Sequence, residues 1–447
     1  MMNKYSCVQF ESSRIGESYR VYQHSSGLDI YIFPKKMTTT YALFGTKYGS
    51  IDHCLTASNG TKIIVPDGIA HFLEHKLFAN EDGHDSFETF SALGADANAY
   101  TSFNKTAYLF SCTDCFEESL HELLEFVTHP YFTKESVENE IGIISEEIRM
   151  YDDSPSDRCF YGMLEALYEH HSIRRNICGS IKSISQITPD LLYQCYETFY
   201  QLSNMALILC GNIDDTAVLR IADEHLPATK EHRPIAREDE NLLESPSAFQ
   251  SYKEQRMQVA KPLFNIGFKD TNIPKSGKAR QRKDAAMSIL NEMLFSRAGD
   301  LYQHLFETGM ISPNFSYGYT ISETSAYNSL AGEANKPKEV LQEIRSFLQK
   351  TTREGLSRED FERGKRVMYA EFVKSFDSTD SIANNLFSFI CEDSELLDYA
   401  NLLEAVTFEE VTDLFENAFQ PQATVLSVIL PLESSIQPNE TQEVSLT

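Results

Sequence analysis

The sequence predicts an α+β protein of two domains, and three observations carry that reading. At 447 residues the chain exceeds one ordinary domain and suits two of about 200 residues. Runs with apolar residues at every second position recur between segments of helical periodicity. A polar stretch at 226–247, carrying Pro227, Pro234 and Pro246, reads as a linker between a first domain at 1–225 and a second at 248–447. With 42% hydrophobic residues, 11% of the chain being aromatic, there is material for both cores.

In chain order, residues 18–22 and 28–33 are period-two runs flanking His24-Ser25-Ser26-Gly27, a hairpin signal. Residues 40–50 form a further strand. Pro66-Asp67-Gly68 then leads into the apolar run 69–78, which reads as a buried helix with Asp67 as its expected N-cap. A second helix at 86–93 stops at Gly94. Residues 96–103 and 106–110 read as two strands around a polar turn. An amphipathic helix at 117–127 ends before His129-Pro130, and a longer, carboxylate-rich helix follows at 134–150, with a loop starting at Tyr151. Residues 203–213 form the strand that closes the first domain. The polar tail at 433–447 is expected to be loose.

The chemistry concentrates in the 69–78 helix, which reads His71-Phe72-Leu73-Glu74-His75. Histidines four apart lie on one helix face, one turn from each other. Two neutral imidazoles so presented can hold one metal ion. Glu74 can lean toward the same ion without binding it, where a general base for an activated water has to be. This order is the inverted zinc-peptidase motif.

Two histidines leave a catalytic zinc one protein ligand short, and a carboxylate is the usual third. The 134–150 helix offers Glu140, Glu146 and Glu147. Glu140 and Glu147 are two turns apart and share a face, whereas Glu146 lies about 100° around the helix from Glu147.

These stretches resemble the insulinase (pitrilysin) family of zinc peptidases, in the small two-domain bacterial form that is similar to the processing-peptidase subunits. The match takes in 68–78, Asn98-Ala99-Tyr100-Thr101, the Glu140/Glu147 spacing, the 151–156 segment and the 203–213 strand. The resemblance implies two similar domains, each an antiparallel sheet covered by helices, together half of a clamshell that closes around a peptide. It implies one Zn2+ per chain on His71, His75 and Glu147, with Glu74 as base and Glu140 in support. It implies that Asn98, Ala99, Tyr100 and Thr101 form an edge strand onto which a peptide substrate adds. The second half becomes a degenerate copy: Ser288, Asn291 and Glu292 fall where His71, Glu74 and His75 stand, and Gly364 and Glu371 where Glu140 and Glu147 stand.

The implied activity is zinc-dependent endopeptidase, acting on peptides or unstructured segments. One part of the family pattern is broken. Phe306 stands where a helper Arg is expected, and Ser312 or Pro313 where a helper Tyr is expected. Tyr317 or Tyr319 could substitute for the Tyr, but nothing replaces the guanidinium. The chain is therefore expected to be the metal-bearing subunit of a dimer, with a second insulinase-like subunit, different or identical, supplying Arg and Tyr. The same gap keeps open a non-catalytic scaffold or binding subunit of a peptidase-like complex. A metal-dependent amide hydrolase of another fold is a further alternative, which the edge-strand match disfavours.

The net charge of −27, from 39 basic and 66 acidic residues, argues against nucleic acid and anionic membrane as partners. No apolar run reaches the roughly 18 residues of a membrane helix, and no signal peptide is visible. Nine cysteines, an odd number, read as reduced thiols of a cytoplasmic protein. Cys112-Thr113-Asp114-Cys115 is a lone CxxC with no second pair, and His170-His171 point to different faces, so neither is read as a metal site.

Overall fold

The computed structural model describes residues 5–56, 62–81, 83, 85–229, 235 and 244–432. Most of the expected linker and the whole tail at 433–447 lie outside the described residues.

The first half opens with strands β1 (Ser6–Ser12), β2 (Glu17–Gln23), β3 (Asp29–Pro34) and β4 (Thr40–Thr46), then the short β5 (Cys54–Thr56) and β6 (Lys62–Ile64). Helices α1 (Ile69–Leu77) and α2 (Ser86–Ala92) lead to the hairpin β7 (Asp96–Thr101) and β8 (Thr106–Cys112). Next come α3 (Phe116–Thr128), α4 (Lys134–Asp152), α5 (Pro155–Leu167), α6 (Ile181–Ile184) and α7 (Pro189–Phe199), then β9 (Met205–Gly211) and α8 (Asp215–His225). The second half runs β10 (Tyr252–Met257), β11 (Leu263–Asp270), α9 (Gly277–Phe295), α10 (Asp300–Glu307), β12 (Ser316–Ile321) and β13 (Ala326–Glu333). It continues with α11 (Pro337–Glu354), α12 (Arg358–Lys374), α13 (Thr379–Cys391), α14 (Tyr399–Ala405), α15 (Phe408–Ala418) and β14 (Thr424–Pro431).

The main sheet of the first half has the order β1-β2-β3-β9-β4-β8-β7, and that of the second β10-β14-β11-β13-β12. Without β1 and β2, the two orders match strand for strand. Each sheet is antiparallel except for one pair in the same place, β3 with β9 and β10 with β14. The hairpin at 24–27 forms as expected, with Gly27 at φ 94° and its N–H donating to the His24 carbonyl. The closing strand β9 lies not at an edge but between β3 and β4. Its seven residues, like those of β4, are all buried, which is why both strands read as continuous apolar runs rather than alternating ones.

Burial on both faces has a specific cause. Helix α13 of the second half packs on β4 and β9 of the first, with Ile382, Ala383, Leu386 and Phe387 joining Tyr41, Leu43 and Ile208 in one core. Helix α5 of the first half packs on β10, β11 and β14 of the second. Close approach is bought with glycine at equivalent positions: a Cβ at Gly45 in β4 would overlap the Phe387 ring, and one at Gly267 in β11 would overlap Met163 and Leu167.

Candidate metal centre

Helix α1 begins one residue later than the Asp67 cap would require. Gly68 occupies the N-cap position at φ 92° with no side-chain cap, and a Cβ there would collide with the Cys178 carbonyl. That close backbone contact sets where the helix starts, and Asp67 instead pairs with Arg175 at 2.7 Å. Eight of the nine α1 residues are buried, because the helix lies between the sheet and α4.

His71 and His75 face each other with ring centroids 4.5 Å apart. From α4, Glu147 places Oε1 3.6 Å from His71 Nε2 and Oε2 3.5 Å from His75 Nε2. These separations are long for hydrogen bonds. They suit three ligands of one zinc ion, since bonds of 2.0–2.1 Å in a tetrahedron put ligand atoms about 3.4 Å apart. Ligand atoms of the three residues all lie within 4.8 Å of one another, the one such group among the described residues. The donor set thus fits zinc. Glu146 turns outward and pairs with Arg149, so the structure separates it from the histidines.

Two further carboxylates stand beside these three residues. Glu140 accepts from His75 Nδ1 at 3.2 Å through Oε1, while its Oε2 pairs with Lys76 Nζ at 3.5 Å. Glu74 is 7% exposed and accepts from the Thr101 hydroxyl at 2.6 Å. Burial raises the Glu74 pKa, and the opposing pull of His71 and Thr101 does not cancel the rise. For Glu147 the polar contact with the His71 imidazole outweighs burial and lowers the pKa. Burial pushes His75 down, but Glu140, Glu74 and Glu147 together raise it, and Glu140 is lowered by His75 and Lys76 against its own burial.

The expected substrate strand is β7, the outermost strand of its sheet, beside α1. Asn98, Ala99, Tyr100 and Thr101 all line a cleft of about 660 Å³ shared with His71, Glu74, His75, Glu140 and Glu147. Thr101 ties this strand to Glu74, and the Tyr100 hydroxyl donates to Asn384 of α13 at 2.9 Å.

Several lining residues were not expected. Tyr151 is helical, since α4 continues to Asp152 and the chain breaks only where Ser154 caps α5 with Pro155 at its first turn. One turn beyond Glu147, Tyr151 lines the cleft, its phenol pushed up to about 12 by burial, then by Cys178 and Glu147. Its i+4 spacing from Glu147 was a usable signal. Asp157, Tyr161, Asn176 and Cys178 reach the cleft from segments with no local motif; Cys178 Sγ lies 3.8 Å from His71 Nε2.

The other expectations divide. Neither Lys nor Arg is among the residues lining the cleft. Phe306 is 43% exposed and stacks on Tyr302, away from the cleft. Tyr317 and Tyr319 do not substitute for a helper Tyr in this cleft: their hydroxyls donate to Glu292 at 2.6 Å and Asp270 at 2.9 Å within the second half. All nine cysteines are free thiols. Cys112 is buried at the end of β8, and exposed Cys115 caps α3 in a left-handed conformation at φ 52°. His171 is buried and its Nδ1 accepts the Ile173 N–H at 3.0 Å, a turn-capping role.

Comparison with known proteins agrees with this architecture. The insulinase (peptidase family M16) pattern matches residues 66–180, and the peptidase M16 inactive-domain pattern matches 186–368. An uncharacterized zinc protease of Bacillus subtilis, YmfH, is 39% identical over 412 residues, spanning 91% of this chain and 95% of that protein. The crystal structure of an M16-like peptidase from Alicyclobacillus acidocaldarius matches with a TM-score of 0.88 at 32% identity, covering 95% of this chain and all of that one. The first half of the periplasmic protease PqqL from Escherichia coli has the same fold, with a TM-score of 0.70 at 19% identity and 92% of each chain covered. Against whole PqqL, 95% of this chain corresponds to 48% of that protein, as half of a clamshell should. The chain belongs to the insulinase family, peptidase family M16.

Proposed function

We propose that the chain is a zinc-dependent endopeptidase acting on peptides or unstructured segments. The observation that carries this is the convergence of His71, His75 and Glu147 beside a buried Glu74 that the open-edge strand itself holds through Thr101. His71, His75 and Glu147 would hold the ion. Zinc in such a site supplies an activated water and polarises the scissile carbonyl. Glu74 takes the proton from the attacking water and delivers one to the leaving amine; burial raises its pKa in the direction a general base needs near neutrality. Glu140 fixes the orientation of His75. The substrate lies extended along Asn98–Thr101, hydrogen-bonded through its backbone to β7. The carboxylates of Asp85, Asp157 and the centre, with no Lys or Arg lining the cleft, favour cationic peptides. Nine free thiols suit a reducing, cytoplasmic setting.

The cleft without a guanidinium favours pairing with a second insulinase-like subunit that supplies Arg and Tyr, as a heterodimer or a homodimer. It is also the observation behind the second reading, a non-catalytic scaffold. The test is cleavage of a mixed peptide library by the zinc-loaded chain and by Glu74→Gln. Cleavage by the wild type that the variant lacks supports the peptidase. Silence from both, with zinc bound, is then tested with candidate partner subunits; continued silence leaves the scaffold.

A further inference from the structure

Lys76 follows directly on the motif, and a lysine in a helix ordinarily reaches solvent. Here it is 4% exposed, covered by α4. Burying an ammonium is costly unless a carboxylate and good geometry offset it. The partner is Glu140, whose two oxygens are divided: Oε1 faces His75 Nδ1 at 3.2 Å and Oε2 faces Lys76 Nζ at 3.5 Å. Glu140 is therefore held from two adjacent residues of α1 at once.

The charges give this arrangement a purpose. Glu74, Glu140 and Glu147 bring three negative charges to the centre, and a divalent cation cancels two. The Lys76 ammonium cancels the third without touching the cleft, whose lining does not include it. A carboxylate that fixes a ligand histidine has to stay in one rotamer. Beside Glu147 on its own helix face and Glu74 on α1, Glu140 is repelled unless something holds it, and Lys76 engages the oxygen that His75 leaves free.

We propose that Lys76 is a positioning residue of the metal centre: its ammonium pins Glu140 in the rotamer that receives the His75 Nδ1 proton and so presents His75 Nε2 to the metal. This rests on the zinc reading above. It assigns no contact with substrate to Lys76, and it predicts an effect on metal affinity that passes entirely through Glu140.

The experiment is a zinc-affinity cycle, read by competition with a chromophoric chelator, on the wild type, Lys76→Met, Glu140→Gln and the double variant. Lys76→Arg serves as the conservative rescue, and melting curves of the zinc-free proteins check folding. Partners that orient a metal-bound histidine are typically worth about 10–100-fold in affinity. Lys76→Met is expected to weaken zinc about 10-fold or more and Lys76→Arg to recover most of it. In the Glu140→Gln background, Lys76→Met should change nothing further. A second readout needs no metal: nitrogen-15 NMR of histidine in the zinc-free chain should show His75 protonated at Nδ1 in the wild type and in Lys76→Arg, and a tautomer mixture in Lys76→Met. If Lys76→Met fails to fold, Lys76→Gln takes its place in the cycle. Wild-type affinity in Lys76→Met (or in Lys76→Gln, if that replaces it) overturns the proposal, and so does a loss that persists in the Glu140→Gln background. A wild type that binds no zinc overturns the zinc reading itself, which the first titration shows separately.

Discussion

The helix pairs α1/α4 and α9/α12 sit against equivalent strands and meet the same electrostatic demand in two ways. In the first pair, His71, His75 and Glu147 converge with a gap between them that suits an exchangeable cation. In the second, Glu292 stands at the place of His75, and its Oε1 takes a hydrogen bond from Arg363 at 3.1 Å. Its Oε2 takes one from Tyr317 of β12 at 2.6 Å. Like Thr101 of β7, Tyr317 reaches its helix from the outermost strand of the sheet, but from the opposite end of that strand and to a different helix position. Asn291, at the place of Glu74, bonds Asn328 at 2.8 Å. Gly364, at the place of Glu140, lies 3.5 Å from Glu292 Cγ as measured from an ideal Cβ, so Glu292 fills part of the space a glutamate would need. Glu371, at the place of Glu147, is exposed. The second half has a covalently attached cation, Arg363, where the first half has room for a free one. A guanidinium bonded to Glu292, Ser296 and Asp360 offers hydrogen bonds but no coordination position on which a water could be activated, so the second half keeps the scaffold without a metal-binding set.

The comparison can be broken at several points. Stripping zinc with a chelator is expected to lower peptide cleavage at least about 10³-fold, or about 4 kcal/mol in transition-state terms. Hydrogen exchange should rise in α1 and α4 and stay unchanged in α9 and α12; an equal response in both pairs would refute the contrast. Arg363→Met should cost about 3 kcal/mol in urea unfolding, because Glu292 is left buried without its cation, while zinc affinity stays at the wild-type value.

The junction between the halves gives a comparable effect with a pH signature. Glu244 is buried against Lys269 and accepts the N–H groups of His170 and His171. Burial acts to raise its pKa, yet Lys269 and those backbone donors bring it down to about 2 from 4.5. A depressed carboxylate stabilises the fold above the unfolded value and loses that contribution as pH falls through the folded one. About 3 kcal/mol should therefore disappear between pH 4.5 and about 2, and Glu244→Gln should lack that part of the acid limb in thermal melts. The smallest effect is expected from Tyr317→Phe, about 1 kcal/mol of stability with cleavage untouched. Thr101→Val, on the edge strand of the first half, should change the cleavage rate more than the melting temperature.

Much of the site was legible because it is local. His71, Glu74 and His75 share one helix turn, and the seven-residue spacing of Glu140 and Glu147 pointed to one face. What decided Glu147 over Glu146 in the structure is a helix–helix contact. Lys76 was overlooked because a single charge in an apolar run reads as a solvent-facing residue, and only the covering α4 shows otherwise. Asp67 failed as a cap for a similar reason: the contact of Gly68 with the Cys178 carbonyl joins residues over a hundred positions apart. The parallel β3/β9 pair was likewise out of reach, since pairing partners of Asp29–Pro34 lie at Ala206–Gly211. The hairpin β7/β8, closed by a short turn, was within reach.

The exchanged helices bear on how the molecule holds together as an object. Each sheet has lent its neighbour a lid: α5 closes the second sheet and α13 the first. Were the two halves made as separate chains, each would expose the sheet face that its neighbour's helix covers. The two fragments should travel as one species and should find each other before either is well folded. The duplicated halves behave less like beads on a string than like two clasped hands, and a cleft lined by one hand is kept in shape by the grip of the other through Tyr100 and Asn384.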